Sequence, residues 1–315
     1  LRPWVMSKKT IVHLPEGQAS GFVIADFWRS YFLKYFNMEV FDPDKTYDRN
    51  QHVFWISPHD KIKLDLNKIN EFKVIEDHLW DNFGTSTANE NIFKLISRNF
   101  IFINESIWYK WLKYPELDLY QNPSKFFLCL MRLQRSNRDD LYKKIIQYDN
   151  ESLISYVAQN KLLIDDIDTN HGNFQRHVNP LWYNSTNFSL VSESVVNDLN
   201  FISEKSFKPF AFKHPLIIWG PANILDRIKT LGFQTFSHVI DESYDIIPIP
   251  ALRLKKITLI INDLYKEYKQ GKPLFTDNLS KEIIEHNYNL FYSDALINSI
   301  AEKEIFKPLV EFVYD

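Results

Sequence analysis

Glycine, cysteine and long apolar runs are all scarce in this chain, and each shortage removes a class of protein. Only seven glycines occur in 315 residues: Gly17, Gly21, Gly84, Gly172, Gly220, Gly232 and Gly271. A Walker loop needs clustered glycines followed by Lys-Ser/Thr, and a dinucleotide fingerprint needs G-x-G-x-x-G. Neither occurs, which weighs against conventional kinases, ATPases and NAD enzymes. The single cysteine, Cys129, has no partner for an internal disulfide, and its setting in KFFLCLM reads as a buried strand thiol rather than a nucleophile. No run of about 18 apolar residues is present to span a bilayer. The first ten residues lack the apolar core of a secretion signal, so the expected compartment is cytoplasmic. With 37 basic and 40 acidic residues the net charge is -3, which gives no general electrostatic footprint for nucleic acid or an anionic membrane. A local basic pocket stays open.

What is present is enough apolar sequence for a large core, 45% of the chain, with aromatics at 16%. The apolar runs alternate with helical patterns, which predicts an α/β fold built from parallel strands. In the first half, Thr10–Leu14 reads as a strand, followed by a loop holding Gly17 and Gly21 and by a helix through Phe22, Ala25, Trp28 and Phe32. Val53–Ile56, Phe72–Ile75 and Phe100–Ile103 read as further strands, each running into a polar residue or loop. A boundary is expected in the Pro-containing stretch Tyr114–Lys125. Beyond it come strand 126–130, helix 137–147, a helical pattern near 151–158, strand 187–191, helix 203–212, strand 215–219, helix 222–231 and helix 252–268. The expected organisation is two Rossmann-like domains, 1–120 and 121–290, with a helical segment at 291–315 packing back on the first.

Two residue groups in the second half have chemistry to offer. Arg132, Arg135 and Arg138 follow the strand FFLCL, and Arg138 falls in the first turn of the next helix, where a cation opposes the helix dipole unless an anion is bound. A solvated cluster paired with Asp139 and Asp140 is the ordinary alternative. Ser203-Glu204-Lys205 places a cap, a carboxylate and an ammonium at one exposed helix start, between the strand ending in Glu193 and the strand Pro215–Trp219 that leads to Gly220-Pro221. A carboxylate can accept ribose hydroxyls, and a lysine with free amides can hold a diphosphate. An ordinary capped helix explains the same residues.

The triplets Asp42-Pro-Asp44 and Asp166-Ile-Asp168 have the form of a metal-binding Asp-x-Asp but read as solvated turns. His171, His177 and His214 lack zinc spacing, although His177 or Trp182-Tyr183 would be able to line a pocket. Candidate general bases in the first half are His13 and Glu16, then Glu76-Asp77-His78, then Glu105, all at predicted strand ends. Of these, His13, Asp77 and Glu105 are carried forward as the catalytic candidates.

The stretch NFSLVSES…FISEKSFKPFAFKHPLIIWGP is similar to the donor-binding motif of the α1,3/1,4-fucosyltransferase family: a strand ending in Glu-Asn, a Glu-Lys helix start, an apolar strand and a Gly-Pro turn. Ser194 stands where that motif has Asn. The second half, through DESYD, also resembles a wider group of bacterial and viral glycosyltransferase-like proteins. The resemblance covers roughly residues 125–260 and implies a paired-Rossmann (GT-B) glycosyltransferase with a donor/acceptor cleft between its domains. It implies that Glu204 and Lys205 engage the ribose and diphosphate of a nucleotide-sugar donor and that Arg138 binds donor phosphate. Arg132, Arg135, Glu193, Ser203 and Gly220 complete the expected donor site. The expected activity is transfer of a sugar, in the hexosyltransferase class, to a glycan or glycolipid acceptor during polysaccharide biosynthesis. Neither a metal cofactor nor a nucleic-acid partner is expected. The alternative is a non-catalytic nucleotide- or glycan-binding module of the same fold.

Overall fold

The computed structural model describes residues 9–13, 22–40, 42, 44–48, 52–56, 73–76, 92–94, 97–112, 123–161, 163, 179–197 and 201–314. The chain divides into two compact units, one formed by 1–108 with 294–315 and the other by 109–293. Each unit contains its own parallel sheet.

In the first unit five strands, β1 (Thr10–His13), β2 (Asn37–Val40), β3 (His52–Ile56), β4 (Lys73–Glu76) and β5 (Ile92–Lys94), lie in the order β2-β1-β3-β4-β5. Every pairing is parallel. That order is a doubly wound one, with its switch point between β1 and β3. Helix α1 (Phe22–Tyr35) makes the crossover from β1 to β2 and buries Trp28 and Phe32. The C-terminal segment 294–314 packs on α1: the Phe306 ring stacks on Tyr31 and Tyr35 and meets Phe32 edge-on. Lys34 pairs with Glu302 at 3.2 Å.

One predicted strand is helix instead. Phe100–Ile103 lies inside α2 (Ser97–Leu112). Residues 102 to 106 of that helix are all buried, as are Trp108 and Tyr109. A helix surrounded by protein reads as a continuous apolar run, and a short run of that kind has no periodicity to distinguish it from a buried strand.

The second unit has four strands, β6 (Lys125–Met131), β7 (Leu153–Tyr156), β8 (Thr186–Ser192) and β9 (Leu216–Trp219), all parallel, in the order β7-β6-β8-β9. Strand β8 is buried at all seven positions, as expected for a central strand covered on both faces. The helical pattern expected near 151–158 is also overturned. Leu153-Ile-Ser-Tyr156 forms the edge strand, because its aliphatic and aromatic residues pair with β6 and bury Ile154 and Tyr156. Around the sheet lie α3 (Ser136–Ile145), the short α4 (Pro180–Asn184), α5 (Glu204–Ala211), α6 (Ile224–Lys229), α7 (Pro250–Lys269) and α8 (Asn278–Phe291). Cys129 is fully buried in β6, and burial pushes its thiol up to about 12. Two parallel α/β units, each wound on a Rossmann-like plan, make the fold.

Candidate functional site

In the second sheet the chain leaves β6 toward β7 and leaves β8 toward β9 on the other side. The carboxyl ends of β6 and β8 therefore flank a topological switch point, the place where open α/β sheets form a ligand crevice. The loop 132–135, the start of α3, residues 193–197 and the start of α5 all follow these two strands.

Arg138 lies at this point and is 2% exposed. Its Nη1 donates to the Leu133 carbonyl at 2.9 Å and its Nη2 to the Ser194 hydroxyl at 3.0 Å. Its buried Nε has no hydrogen-bond partner, and no ion pair among the described residues involves the guanidinium. Burial lowers its pKa, Arg135 acts in the same direction, and Glu193 and Glu204 work against both. A buried cation with no close counter-ion is costly unless an anion completes it. Arg135 occupies the N-cap of α3 with no side-chain cap bond, where Ser or Asp would satisfy free amides. Arg132 is exposed in the same loop. Three arginines thus precede or open the positive end of a helix dipole, an arrangement with the charge and the amides to suit an anion.

Glu193 behaves differently from the ligand-facing carboxylate expected at that strand end. It is fully buried, and protein donors occupy both of its oxygens. Oε1 accepts from the Ser203 amide at 3.0 Å and the Ser206 hydroxyl at 2.6 Å, while Oε2 accepts from the Ser203 hydroxyl and, at 3.3 Å, the Ser194 amide. It joins the end of β8 to the start of α5 and acts on the crevice by holding that helix. Ser203 is the N-cap of α5, its hydroxyl accepting from the Lys205 amide.

Glu204 and Lys205 are not freely exposed as the sequence suggests. Their side chains are 19% and 22% accessible and pair at 2.5 Å. Burial pushes the Glu204 carboxyl up, but Lys205 and Lys208 outweigh it and hold the group at about 2. Lys205 Nζ also donates to the Ser203 hydroxyl at 3.2 Å.

Gly220, at the exit of β9, is small for a steric reason. A Cβ there would sit 2.8 Å from Ile224 Cδ1 and 3.3 Å from Glu193 Cγ.

Three residues given no role by the sequence reading, Arg253, Trp219 and Asn137, complete the frame. Arg253, 1% exposed, donates from Nε to the Gly220 carbonyl at 2.9 Å, from Nη2 to the Val196 carbonyl at 2.5 Å and from Nη1 to the Ile247 carbonyl. Its guanidinium lies 5.4 Å from the centre of the Trp219 ring. Trp219 in turn donates to the Asn137 carbonyl at 3.3 Å, and Asn137 Nδ2 donates to the Glu193 carbonyl at 3.0 Å. The exits of β8 and β9 and the start of α3 are thus tied together. A readable signal was there: Arg253 falls on the stripe of Ile257, Ile260 and Leu264, the buried face of α7.

The DESYD segment supports the frame from behind. Asp241 pairs with Lys256 at 2.5 Å. Glu242 accepts from the Phe236 amide, and the Asp245 carboxylate accepts from the Leu225 and Asp226 amides at the start of α6. The Tyr244 hydroxyl accepts from the Ile218 amide at 3.3 Å.

Other candidates fall elsewhere. His13 ends β1 and Glu76 ends β4. Glu105 is 1% exposed within α2, not at a strand end, for the reason given above. Asp77, Glu16, His78, Asp166, Asp168, His171 and His177 lie outside the described residues. Asp42 and Asp44 form a turn, with the Asp44 amide donating to Asp42 Oδ1 at 3.0 Å. No group of acidic, histidine or cysteine side chains with metal-binding geometry occurs among the described residues. Trp182 and Tyr183 precede β8 on α4, at the strand's amino end, where Tyr183 stacks on Phe212. They lie away from the crevice. His214 is buried beside them. Its Nε2 donates to the Thr186 carbonyl at 2.9 Å and its Nδ1 accepts from Ser189 at 2.7 Å.

Comparison with known proteins returns no matching family model and no matching curated protein. Among solved structures the chain is similar to an α1,3-fucosyltransferase, at 10% identity and a TM-score of 0.43 over 92% of both chains. An α1,3-fucosyltransferase with GDP-fucose gives 10% identity and a TM-score of 0.40 over 91% of both chains. A DNA-modifying β-glucosyltransferase, determined with and without uridine diphosphoglucose, gives 10% identity and 0.41 over 96% of this chain and 99% of that one. All three are named as glycosyltransferases. No described helix is long and apolar enough to cross a membrane.

Proposed function

We propose that this protein is a glycosyltransferase that binds a nucleotide-sugar donor at the carboxyl ends of β6 and β8 and passes the sugar to a glycan or glycolipid acceptor. The observation that carries this reading is Arg138: a buried guanidinium with an unpartnered Nε and, among the described residues, no carboxylate within ion-pair distance, at a helix start and a sheet switch point. A diphosphate supplies the missing charge, and Arg135 and Arg132 lie in the loop that would cover it. Lys205 would leave Glu204 to contact the same diphosphate, freeing the Glu204 carboxylate, ionised at any pH well above about 2, for ribose hydroxyls.

In the transfer, the bond from the anomeric carbon to the phosphate oxygen breaks with its electron pair leaving on the nucleoside diphosphate. The acceptor oxygen bonds to that carbon and its proton passes to a general base. Arg138 and the start of α3 stabilise the charge growing on the leaving group. His13, which ends β1, stays a candidate for the base, whereas Glu105 is buried within α2, where an acceptor would not reach it. The reading is metal-independent, since arginine and lysine take the neutralising role.

Thermal shift against nucleoside diphosphates and nucleotide sugars tests binding; a ligand at 100 times its Kd adds about 2.7 kcal/mol of stability. Glu204→Ala and Lys205→Ala should each reduce that shift. Slow hydrolysis of the best donor, surviving EDTA, is expected of a transferase. Binding without any hydrolysis or transfer would instead indicate a nucleotide-binding module.

A further inference from the structure

Helix α7 has an anomalous outer face. Its inner face, Leu254, Ile257, Ile260, Ile261 and Leu264, is buried as expected. The opposite face of its first two turns should be polar. Instead Leu252 and Leu259 are each 51% exposed, and the lead-in adds Ile249 at 55% and Ile246 at 71%. Leu252, Lys255, Lys256 and Leu259 follow the i, i+3, i+4, i+7 spacing of one helix face, so Leu252 and Leu259 stand about 10 Å apart along the axis with the lysines between them.

The segment is stiff. Pro248 and Pro250 restrict the residues before them to extended conformations, Ile249 has φ -82° and ψ 114°, and Arg253 holds the Ile247 carbonyl. These side chains are therefore held out by a fixed backbone.

From Ile246 to Asn262 the sequence contains no acidic residue and three basic ones, Arg253, Lys255 and Lys256. Arg253 is buried and Lys256 pairs with Asp241, which leaves exposed Lys255 and the outer edge of Lys256 among the aliphatic side chains. We propose that this face docks on an anionic lipid bilayer, the four aliphatic side chains entering the headgroup boundary and the lysines meeting lipid phosphates. Apolar insertion and basic attraction together are what stable interfacial binding requires. A second copy of the chain fits less well, because a two-fold contact centred on this face would pack two surfaces that both carry Lys255 and Lys256 and no acidic residue from 246 to 262. If the proposed transferase activity holds, docking here would hold the exits of β8 and β9, tied by Arg253 on the inner face of the same helix, one helix diameter (~10 Å) from the bilayer, and would favour an acceptor carried on a lipid.

The test is flotation of the full chain with vesicles of phosphatidylcholine alone and with about a third phosphatidylglycerol. Wild type should float with the anionic vesicles, weakly with the neutral ones, and less at high salt. Ile246→Ser/Leu252→Ser/Leu259→Ser should lose about tenfold or more in vesicle affinity. Lys255→Glu, an exposed change that leaves the core untouched, should weaken binding to anionic vesicles specifically. The nucleotide-induced melting shift should be unchanged in both variants, which separates failure of this proposal from failure of the donor site. The proposal is overturned if wild type stays with the soluble fraction, or if both variants float as wild type does. It is equally overturned if wild type is a dimer that the triple variant converts to monomer.

Discussion

The Arg138 guanidinium donates to the Ser194 hydroxyl at 3.0 Å across 56 residues of sequence, joining the loops that leave two neighbouring strands. The same contact covers one edge of a buried charge that has no ion-pair partner among the described residues. Arg138→Lys keeps the charge but loses the fork that reaches Leu133 and Ser194 together. We expect nucleotide affinity and turnover to fall, turnover by about 10²-fold. Because the residue is buried, two lost hydrogen bonds should also cost about 2 kcal/mol of stability. Affinity should therefore be measured by calorimetry well below the variant's Tm. Unchanged affinity at that temperature would assign Arg138 to the scaffold alone.

Gly220→Ala should destabilise the second unit by about 1–3 kcal/mol, since the added methyl meets Ile224 Cδ1 and crowds Glu193 in a packed region. Removing the obstructing methyl in Gly220→Ala/Ile224→Val should recover part of that loss. Urea denaturation of the two single variants and the double variant checks the coupling: strictly additive losses would show that Ile224 is not the obstacle.

Burial lowers His214 to about 4, opposed only in part by its bond to the Thr186 carbonyl. The unfolded chain takes up this proton near the ordinary histidine value, and the folded chain holds out to about 4. Stability from the neutral ring is therefore complete above about pH 6.5 and is lost as pH falls toward 4, by up to about 3 kcal/mol. His214→Gln should flatten this part of the Tm-against-pH curve, and parallel curves for the two proteins would contradict the assignment.

Cys129 should resist alkylation in the native state, its thiol being buried and pushed up to about 12. Its labelling by iodoacetamide should rise with denaturant in step with unfolding measured by fluorescence. Fast labelling without denaturant is the contrary result.

The second unit was largely legible in the sequence because its signals are local. KFFLCLM and NFSLVS are apolar runs of strand length, and Ser203 and Gly220 punctuate their neighbours as cap and turn. Phe100–Ile103 misled because a four-residue apolar run inside a buried helix has no period to tell it from a strand, and the region near Leu153 because its edge strand is only four residues long, too short to display an alternation. At the site, the arginine cluster was visible from its conflict with the helix dipole. The occupied state of Glu193 was not, because its partners Ser203 and Ser206 lie ten and thirteen residues away and only the fold brings them to it. The apolar stripe of α7 marks Arg253 as buried, but its role was not legible because its partners are backbone carbonyls of distant loops.

That last bond set carries a consequence for the order of events during synthesis. The loops it joins, at Val196 and Gly220, leave the ribosome 57 and 33 residues ahead of Arg253. A nascent chain can therefore pair β6, β8 and β9 while their exits remain untied. The crevice acquires its final geometry only when the first turns of α7 emerge, so a pause that exposes β9 while residue 253 is still inside the ribosome would leave the exits of β8 and β9 untied.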